Sequence, residues 1–193
     1  MTIKILFLAG SSRKKSSNKF VAQKAQQIAA KDNGVDATFI DLKDFEMPLY
    51  NGDLEAASGL PENALKLKKL FIEHDAIFIS SPEYNSGYTP LLKNSLDWIS
   101  RPSEENEIPL SAFRNKSAAL VAISTGGLGG MRGLVQLRMM LGNMMVTVIP
   151  QQLAIPFSAK VLDDEGNFID EQKEKALAGI VEALIAHTKK QAK

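Results

Sequence analysis

The sequence predicts a doubly wound α/β fold, a five-stranded parallel sheet with helices on both faces, and two observations carry the prediction. Short apolar runs alternate with amphipathic stretches along the whole 193-residue chain. The segments after the first, third and fourth runs, residues 10–18, 81–89 and 124–133, all have unusual composition. Sheets of this kind bind ligands beyond the carboxyl ends of their strands, where those three segments would lie.

Taken in order, Ile3–Ala9 (IKILFLA) is apolar almost throughout, as a strand buried on both faces is. Phe20, Val21, Ala25, Ile28 and Ala29 recur at helical spacing, and Asn33-Gly34 ends that helix. Val35–Leu42 reads as a second strand. Residues 43–60 carry Pro48, Asn51-Gly52 and Ser58-Gly59, so a long loop is expected. Pro61 opens a second helix with Leu65, Leu67, Leu70, Phe71 and Ile72 as its apolar positions. Ala76–Ser80 is the third strand and Pro82–Thr89 a second loop. Pro90 suits the first turn of a third helix, with Leu91, Leu92, Ser95, Leu96 and Ile99 on one side, and Trp98 is expected to be buried. Arg101-Pro102 ends it. Ser117–Ser124 is the fourth strand, followed by a glycine-rich loop and a helix around Leu134–Leu141. Met145–Ile149 is the fifth strand, residues 150–169 are irregular with a turn at Asp163–Gly166, and a last helix covers about 171–190. Right-handed crossovers make the sheet doubly wound. No repeat or low-complexity linker interrupts the pattern, so residues 1–193 read as a single domain.

Bulk composition narrows the function. The chain is 45% apolar and 23% charged, an ordinary globular balance. Lys and Arg number 23 against 22 Asp and Glu, and a net charge of +1 gives no field to hold nucleic acid or an anionic membrane. With no cysteine, thiolate chemistry and disulfides are excluded, and two histidines make a multi-histidine metal site a poor expectation. Redox chemistry would have to come from a bound organic cofactor. No apolar stretch approaches the roughly 18 residues of a membrane span, and Ile3–Ala9 is too short for a secretory signal core. The expectation is a cytoplasmic protein.

Each loop has a functional and a plain reading. In Gly10–Asn18 the glycine permits a sharp turn, the following amides and helix N-terminus suit a phosphate, Ser11, Ser16, Ser17 and Asn18 offer hydrogen bonds, and Arg13 can grip two oxygens. Neither the Walker A loop nor the dinucleotide fingerprint is present, so one phosphate fits better than a pyrophosphate. The plain reading is a solvated loop with a serine cap. Lys14, Lys15 and Lys19 are expected in solvent. In Ser81–Tyr88 (SPEYNSGY), Pro82 stiffens the backbone, Glu83 and Asn85 are polar, and Tyr84 and Tyr88 are flat, which would suit a heteroaromatic ring. Its plain reading is an ordinary turn. Ser124–Gly133 packs five glycines into ten residues and brings bare backbone close to a ligand edge or a neighbouring helix, or is simply a flexible connection. His74 reads as a helix-end group, His187 as solvated, Met139, Met140, Met144 and Met145 as core or subunit interface, and Lys189, Lys190 and Lys193 as a solvated end.

With these loops in view, the chain resembles the NADPH-dependent FMN reductase family of flavodoxin-like proteins. Gly10, Ser11, Arg13, Ser16 and Asn18 match its phosphate loop, G-S-x-R-x-x-S-x-N. Pro82, Glu83, Tyr84, Asn85, Pro90, Leu92, Lys93, Asn94, Asp97 and Trp98 match a second stretch, and Ser124–Gly130 a third. The resemblance implies strand order 2-1-3-4-5 and one FMN per subunit. It implies that Ser11, Arg13, Ser16, Ser17 and Asn18 hold the phosphate, that Pro82, Glu83, Tyr84 and Asn85 line the ribityl chain and ring, and that Thr125, Gly126 and Gly127 offer backbone to the pyrimidine edge. It implies NADPH or NADH as donor, a small-molecule acceptor such as a quinone, a flavin, an azo compound or a metal oxyanion, and ping-pong hydride transfer. No catalytic acid or base and no metal ligand is assigned. A homodimer or homotetramer, with the flavin near the subunit interface, is expected. The alternatives are an electron carrier of flavodoxin type, against which the charge of +1 weighs, and a flavin-free regulatory domain of the same fold. Arg101 and Arg132 are candidates for a 2′-phosphate, or simply surface arginines.

Overall fold

The computed structural model describes residues 2–191. Five parallel strands, β1 (Ile3–Ala9), β2 (Val35–Asp41), β3 (Ala76–Ser80), β4 (Ser117–Ile123) and β5 (Thr147–Ile155), lie in the order β2-β1-β3-β4-β5. The chain leaves β1 in one direction to make β2 and returns to its other side to make β3. The crossovers therefore diverge at the carboxyl ends of β1 and β3 and open a crevice there.

The apolar runs lack a two-residue alternation because both sheet faces are covered. Ile3, Ile5, Phe7 and Ala9 of β1 pack with Phe78, Val121 and Ile123 beneath α1 (Ser17–Ala29) and α6 (Glu171–Gln191). Leu6 and Leu8 point to the other face with Ile77, Ile79 and Leu120. That face is covered by α3 (Glu62–Glu73), α4 (Pro90–Ile99) and α5 (Met131–Asn143). Phe7 and Phe78, cross-strand partners, stack with centroids 5.4 Å apart.

Residues 43–60 are not one loop. A single turn of 3₁₀ helix (Leu42–Asp44) and a short helix, α2 (Gly52–Ser58), interrupt them. Asn51 Oδ1 accepts from Asp53 N at 2.7 Å and so caps α2, and Gly59 at φ 69° stops it. The dipeptides read as turns are a helix start and a helix stop. Because α2 buries nothing, it has no apolar stripe to betray it. On α3, Leu67 and Phe71 are buried but Leu65 and Ile72 are exposed. β5 runs past Ile149 to Ile155, with a register irregularity opposite Ala118–Leu120. Pro150 looks like a stop, yet an edge strand tolerates a residue without N–H.

Of the lysines expected in solvent, Lys14, Lys15 and Lys190 are exposed and Lys189 is partly so while pairing with Asp32 at 2.7 Å, but Lys19 is buried with its Nζ 2.5 Å from Asp41 Oδ2. His187 is half-buried, with Nε2 enclosed and unpartnered among the described residues. His74 ends α3 with its ring buried and Nδ1 2.6 Å from Leu70 O. Lys193 lies outside the described residues. Leu137 and Leu141 are core, whereas Met139 and Met145 are exposed.

Trp98 is fully buried, and its Nε1 donates to Pro48 O at 2.8 Å. The irregular stretch 101–116 is fastened by a buried ion pair: Lys68 Nζ donates to Glu107 (2.7 Å) and to Arg101 O (2.5 Å). Ser103 N, Ser103 Oγ and Ser111 Oγ also donate to the Glu107 carboxylate. Burial pushes that carboxyl up, but Lys68 and the serine donors outweigh it and hold it at about 2. A depressed folded-state value stabilises the fold above the unfolded value and loses that contribution as pH falls toward 2. Glu107→Gln is therefore expected to cost about 2–3 kcal/mol at neutral pH. Urea titrations at descending pH should show the gap to wild type closing below about pH 4.5; a gap independent of pH would refute the assignment.

Candidate functional site

The three loops singled out in the sequence meet at the carboxyl end of the sheet. Gly10 carries the chain out of β1 with its amide bonded to Ser80 O at 3.0 Å and its carbonyl accepting from Thr89 Oγ1 at 2.6 Å. Thr89 also caps α4 by accepting from Leu92 N. A Cβ on Gly10 would lie 3.2 Å from Thr89 Oγ1 and 3.3 Å from Leu92, so any larger residue would push the loop and α4 apart by a few tenths of an ångström.

Beyond Gly10, Ser11 Oγ accepts from Arg13 N (3.3 Å), and Arg13 Nη2 donates to Lys15 O (3.1 Å). Ser16 caps α1 in extended backbone, but its hydroxyl makes no capping bond, and the first turn holds no acidic residue. The positive end of α1 thus meets hydroxyls and a guanidinium, with no acidic residue in its own first turn, a donor set that fits a phosphate group.

Asn18, read as a phosphate ligand, has both of its side-chain polar atoms bonded to the ends of β3 and β4, with one Nδ2–H that these bonds do not use. Its amide donates to Ile123 O at 2.9 Å, and its Oδ1 accepts from Ile123 N (3.2 Å) and Ser80 Oγ (2.9 Å). The amide group pairs with both backbone groups of Ile123, as another strand would, and joins α1 to the ends of β3 and β4.

The second loop leaves β3 with Ser81 N bonded to Val121 O at 2.9 Å. Tyr84 and Gly87 exchange both backbone hydrogen bonds at 2.9 Å around Asn85 (φ 50°) and Ser86 (φ 68°). Two positive φ values in a two-residue turn are the type I′ pattern, and Asn tolerates it. Glu83 is occupied too. Its Oε1 accepts from Arg132 Nε (2.9 Å) and Nη2 (2.5 Å), and its Oε2 accepts from Gly133 N (3.0 Å). Gly130, the residue before α5, has no side chain, so a carboxylate from the neighbouring loop satisfies a free amide of its first turn. Burial pushes the Glu83 carboxyl up, but the Gly133 amide and Arg132 outweigh it and hold it below the ordinary carboxylate value. Arg101 is likewise paired, with Glu55 at 2.8 Å.

In the third loop the glycines divide. A Cβ on Gly129 would lie 2.7 Å from the Ile155 backbone, and one on Gly130 2.6 Å from the Ala122 Cβ, so these two pack against the sheet. Thr125, Gly126 and Gly127 are exposed.

A cavity of about 180 Å³ lies among the loops. Ser11, Arg13, Ser16, Ser17 and Asn18 line it from the first loop, Pro82, Glu83 and Tyr84 from the second, and Thr125 from the third. Asn85, Gly126 and Gly127 are not part of its lining. Ile123, Ser124 and Ser158 are, and sequence reasoning did not single them out. Ile123 and Ser124 end β4, where the signal was available. Ser158 follows β5, whose length the sequence hid. A larger open groove, about 1010 Å³, runs between α1 and α6, but it touches none of the three loops.

Residues 3–160 match the family described as NADPH-dependent FMN reductase. Among curated proteins, the chain is 30% identical over 187 residues to a 2-hydroxy-1,4-benzoquinone reductase of Burkholderia sp, covering 96% of each. It is 33% identical over 153 residues to an NADPH azoreductase of Bacillus sp. (strain OY1-2), covering 79% of this chain and 76% of that one. Among solved structures, the flavoenzyme NAD(P)H:(acceptor) oxidoreductase FerB of Paracoccus denitrificans superposes with a TM-score of 0.81 at 29% identity, covering 98% of this chain and 99% of that one.

Removing the Asn18 amide would leave a buried backbone N–H, a C=O and a hydroxyl without partners. Asn18→Ala is expected to cost about 2–3 kcal/mol of stability in flavin-free protein. Thermal denaturation without flavin checks this, and an unshifted midpoint would show that the clamp is not structural.

Proposed function

The chain belongs to the NADPH-dependent FMN reductase family, and from that premise we propose which residues hold the flavin and what the enzyme reduces. It is an FMN-dependent oxidoreductase that uses NAD(P)H. FMN, held by the residues below, would supply the redox chemistry, accepting hydride from NAD(P)H and donating electrons to a second substrate. The protein's task is to bind, orient and shield.

Ser11, Arg13, Ser16 and Ser17 hold the flavin phosphate, with the α1 amides supplying further donors. Asn18 contributes its backbone amide, while its side chain fixes the loop against β4. Pro82 and Tyr84 form the wall along the ribityl chain and ring, Asn85 approaches the ring from the turn next to that wall, and Glu83 holds the wall to α5. Thr125, Gly126 and Gly127 offer backbone to the pyrimidine edge. The observation that carries this reading is the convergence of the three loops on one cavity, with hydroxyls and Arg13 at the helix N-terminus and Tyr84 and the exposed Thr125 elsewhere in its wall or rim. Donor and acceptor take turns at one exposed face in a ping-pong cycle, and the acceptor is a small quinone or azo compound. The names of the relatives support that acceptor class.

The enzyme works in the cytoplasm as a homodimer or homotetramer. Among the described residues no helix is long and apolar enough to cross a membrane. Met131, Val135 and Met139, spaced along one face of α5, are 45%, 60% and 65% exposed, an apolar stripe that suits a second copy.

Arg13→Ala should weaken FMN binding by ~1.5–3 kcal/mol, roughly tenfold to 150-fold in Kd. Fluorescence titration measures it, and unchanged affinity would sink the phosphate assignment. FMN-loaded, desalted protein mixed anaerobically with NADPH should bleach its visible flavin band. A retained band that neither NADPH nor NADH bleaches would mark an electron carrier, and no retained band either a flavin-free domain or a site that takes flavin as a loosely held substrate.

A further inference from the structure

Phe157 is a large side chain beside the site that the flavin reading leaves without a task. It stands two residues beyond β5, at φ 52° and ψ 57°, a left-handed backbone that bulky residues rarely adopt. The strain is held by neighbours. Phe157 N bonds to Gly126 O at 3.4 Å, Ser158 N to Ser124 O at 2.9 Å, and Lys160 N to Phe157 O at 2.8 Å. This segment is therefore sewn to the third loop, and Ser158 enters the cavity wall. The ring gains little from the core, for Phe157 is 49% exposed. It lies over Gly127, where an added Cβ would come within 3.3 Å of Phe157 Cζ. Lys160 Nζ stands 5.4 Å from the ring centroid. The half-exposed ring, next to a residue of the cavity wall and with the Lys160 ammonium over one of its faces, puts a flat surface and a positive charge together close to the site.

We infer that Phe157 and Lys160 form an acceptor-selecting platform: the Phe157 ring stacks on a planar acceptor, and the Lys160 ammonium favours acceptors that carry a negative charge, such as hydroxylated quinones in their anionic form or sulfonated quinones and azo dyes. The inference rests on the flavin site proposed above. Phe157 and Lys160 determine specificity and take no part in flavin binding or in oxidation of NADPH. Phe157 and Lys160 lie outside the cavity lining, next to Ser158, which is part of it, and Tyr84, 53% exposed, offers an aromatic face from the cavity wall itself.

The test uses FMN-loaded wild type, Lys160→Met, which keeps an aliphatic stem, and Phe157→Leu, which keeps apolar bulk without the flat ring. The readouts are FMN affinity, the rate of flavin reduction by NADPH, and kcat/KM for a sulfonated naphthoquinone and its neutral parent. Lys160→Met should lower kcat/KM for the sulfonated quinone about fivefold and leave the neutral one within about twofold. Phe157→Leu should lower both about fivefold. In both variants FMN affinity and the NADPH step should stay at wild-type values. If Lys160→Met affects the two quinones equally or not at all, or if either variant loses flavin, the platform is refuted. If wild type itself retains no flavin or is not reduced by NADPH, the flavin reading fails and this inference with it.

Discussion

The amide group of Asn18 is the constraint on which the site depends. It is buried where water cannot stand in for a partner, so each of its polar atoms must be met by the protein. The atoms that meet it belong to Ile123 and Ser80, at the ends of β4 and β3. One side chain at the start of α1 thereby sets the distance between the loop after β1 and the loops after the next two strands. The phosphate end and the ring end of the cavity are held in register by three hydrogen bonds.

A second set of links makes the other two loops act together. Glu83 caps α5 from outside, Gln136 Nε2 donates to Ser86 O at 2.8 Å, and Gly133 lets α5 approach the Gly87 carbonyl. None of these groups needs a ligand to be satisfied. The wall is therefore rigid before anything binds, which lowers the entropy lost on binding. The same pairing keeps the Arg132 guanidinium engaged at the rim, where a free one would attract any passing anion.

The strands were legible because a sheet covered on both faces writes continuous apolar runs, whereas the 2-1-3-4-5 order came only with the resemblance of the loop motifs to a known family. The position of the site was legible too, since Gly10, Ser16 and Pro82 sit directly after those runs. The partners of polar groups were hidden. A lysine such as Lys19 reads as solvated until β2 brings Asp41 alongside it. Asn18 and Glu83 fit a ligand-binding motif, and the chemistry that suits a ligand equally suits a backbone 105 or 50 residues away. The α2 helix escaped because helical periodicity is a record of burial, and α2 buries nothing. The end of β5 escaped because Pro150 is a stop signal everywhere except at an edge.

That edge gives the molecule a place to change. The irregularity in β5 sits between the part of the strand that pairs with Ser117 and Ala118 and the part that pairs with Leu120 to Ile123. No strand lies on its outer side, so residues can be gained or lost there without breaking a second ladder. Such a change would slide everything downstream, Phe157 and Ser158 included, along the rim while the clamp at Asn18 stayed in place. Because Ser158 lines the cavity and its amide is bonded to Ser124 O, the outer edge of the sheet is mechanically coupled to the site.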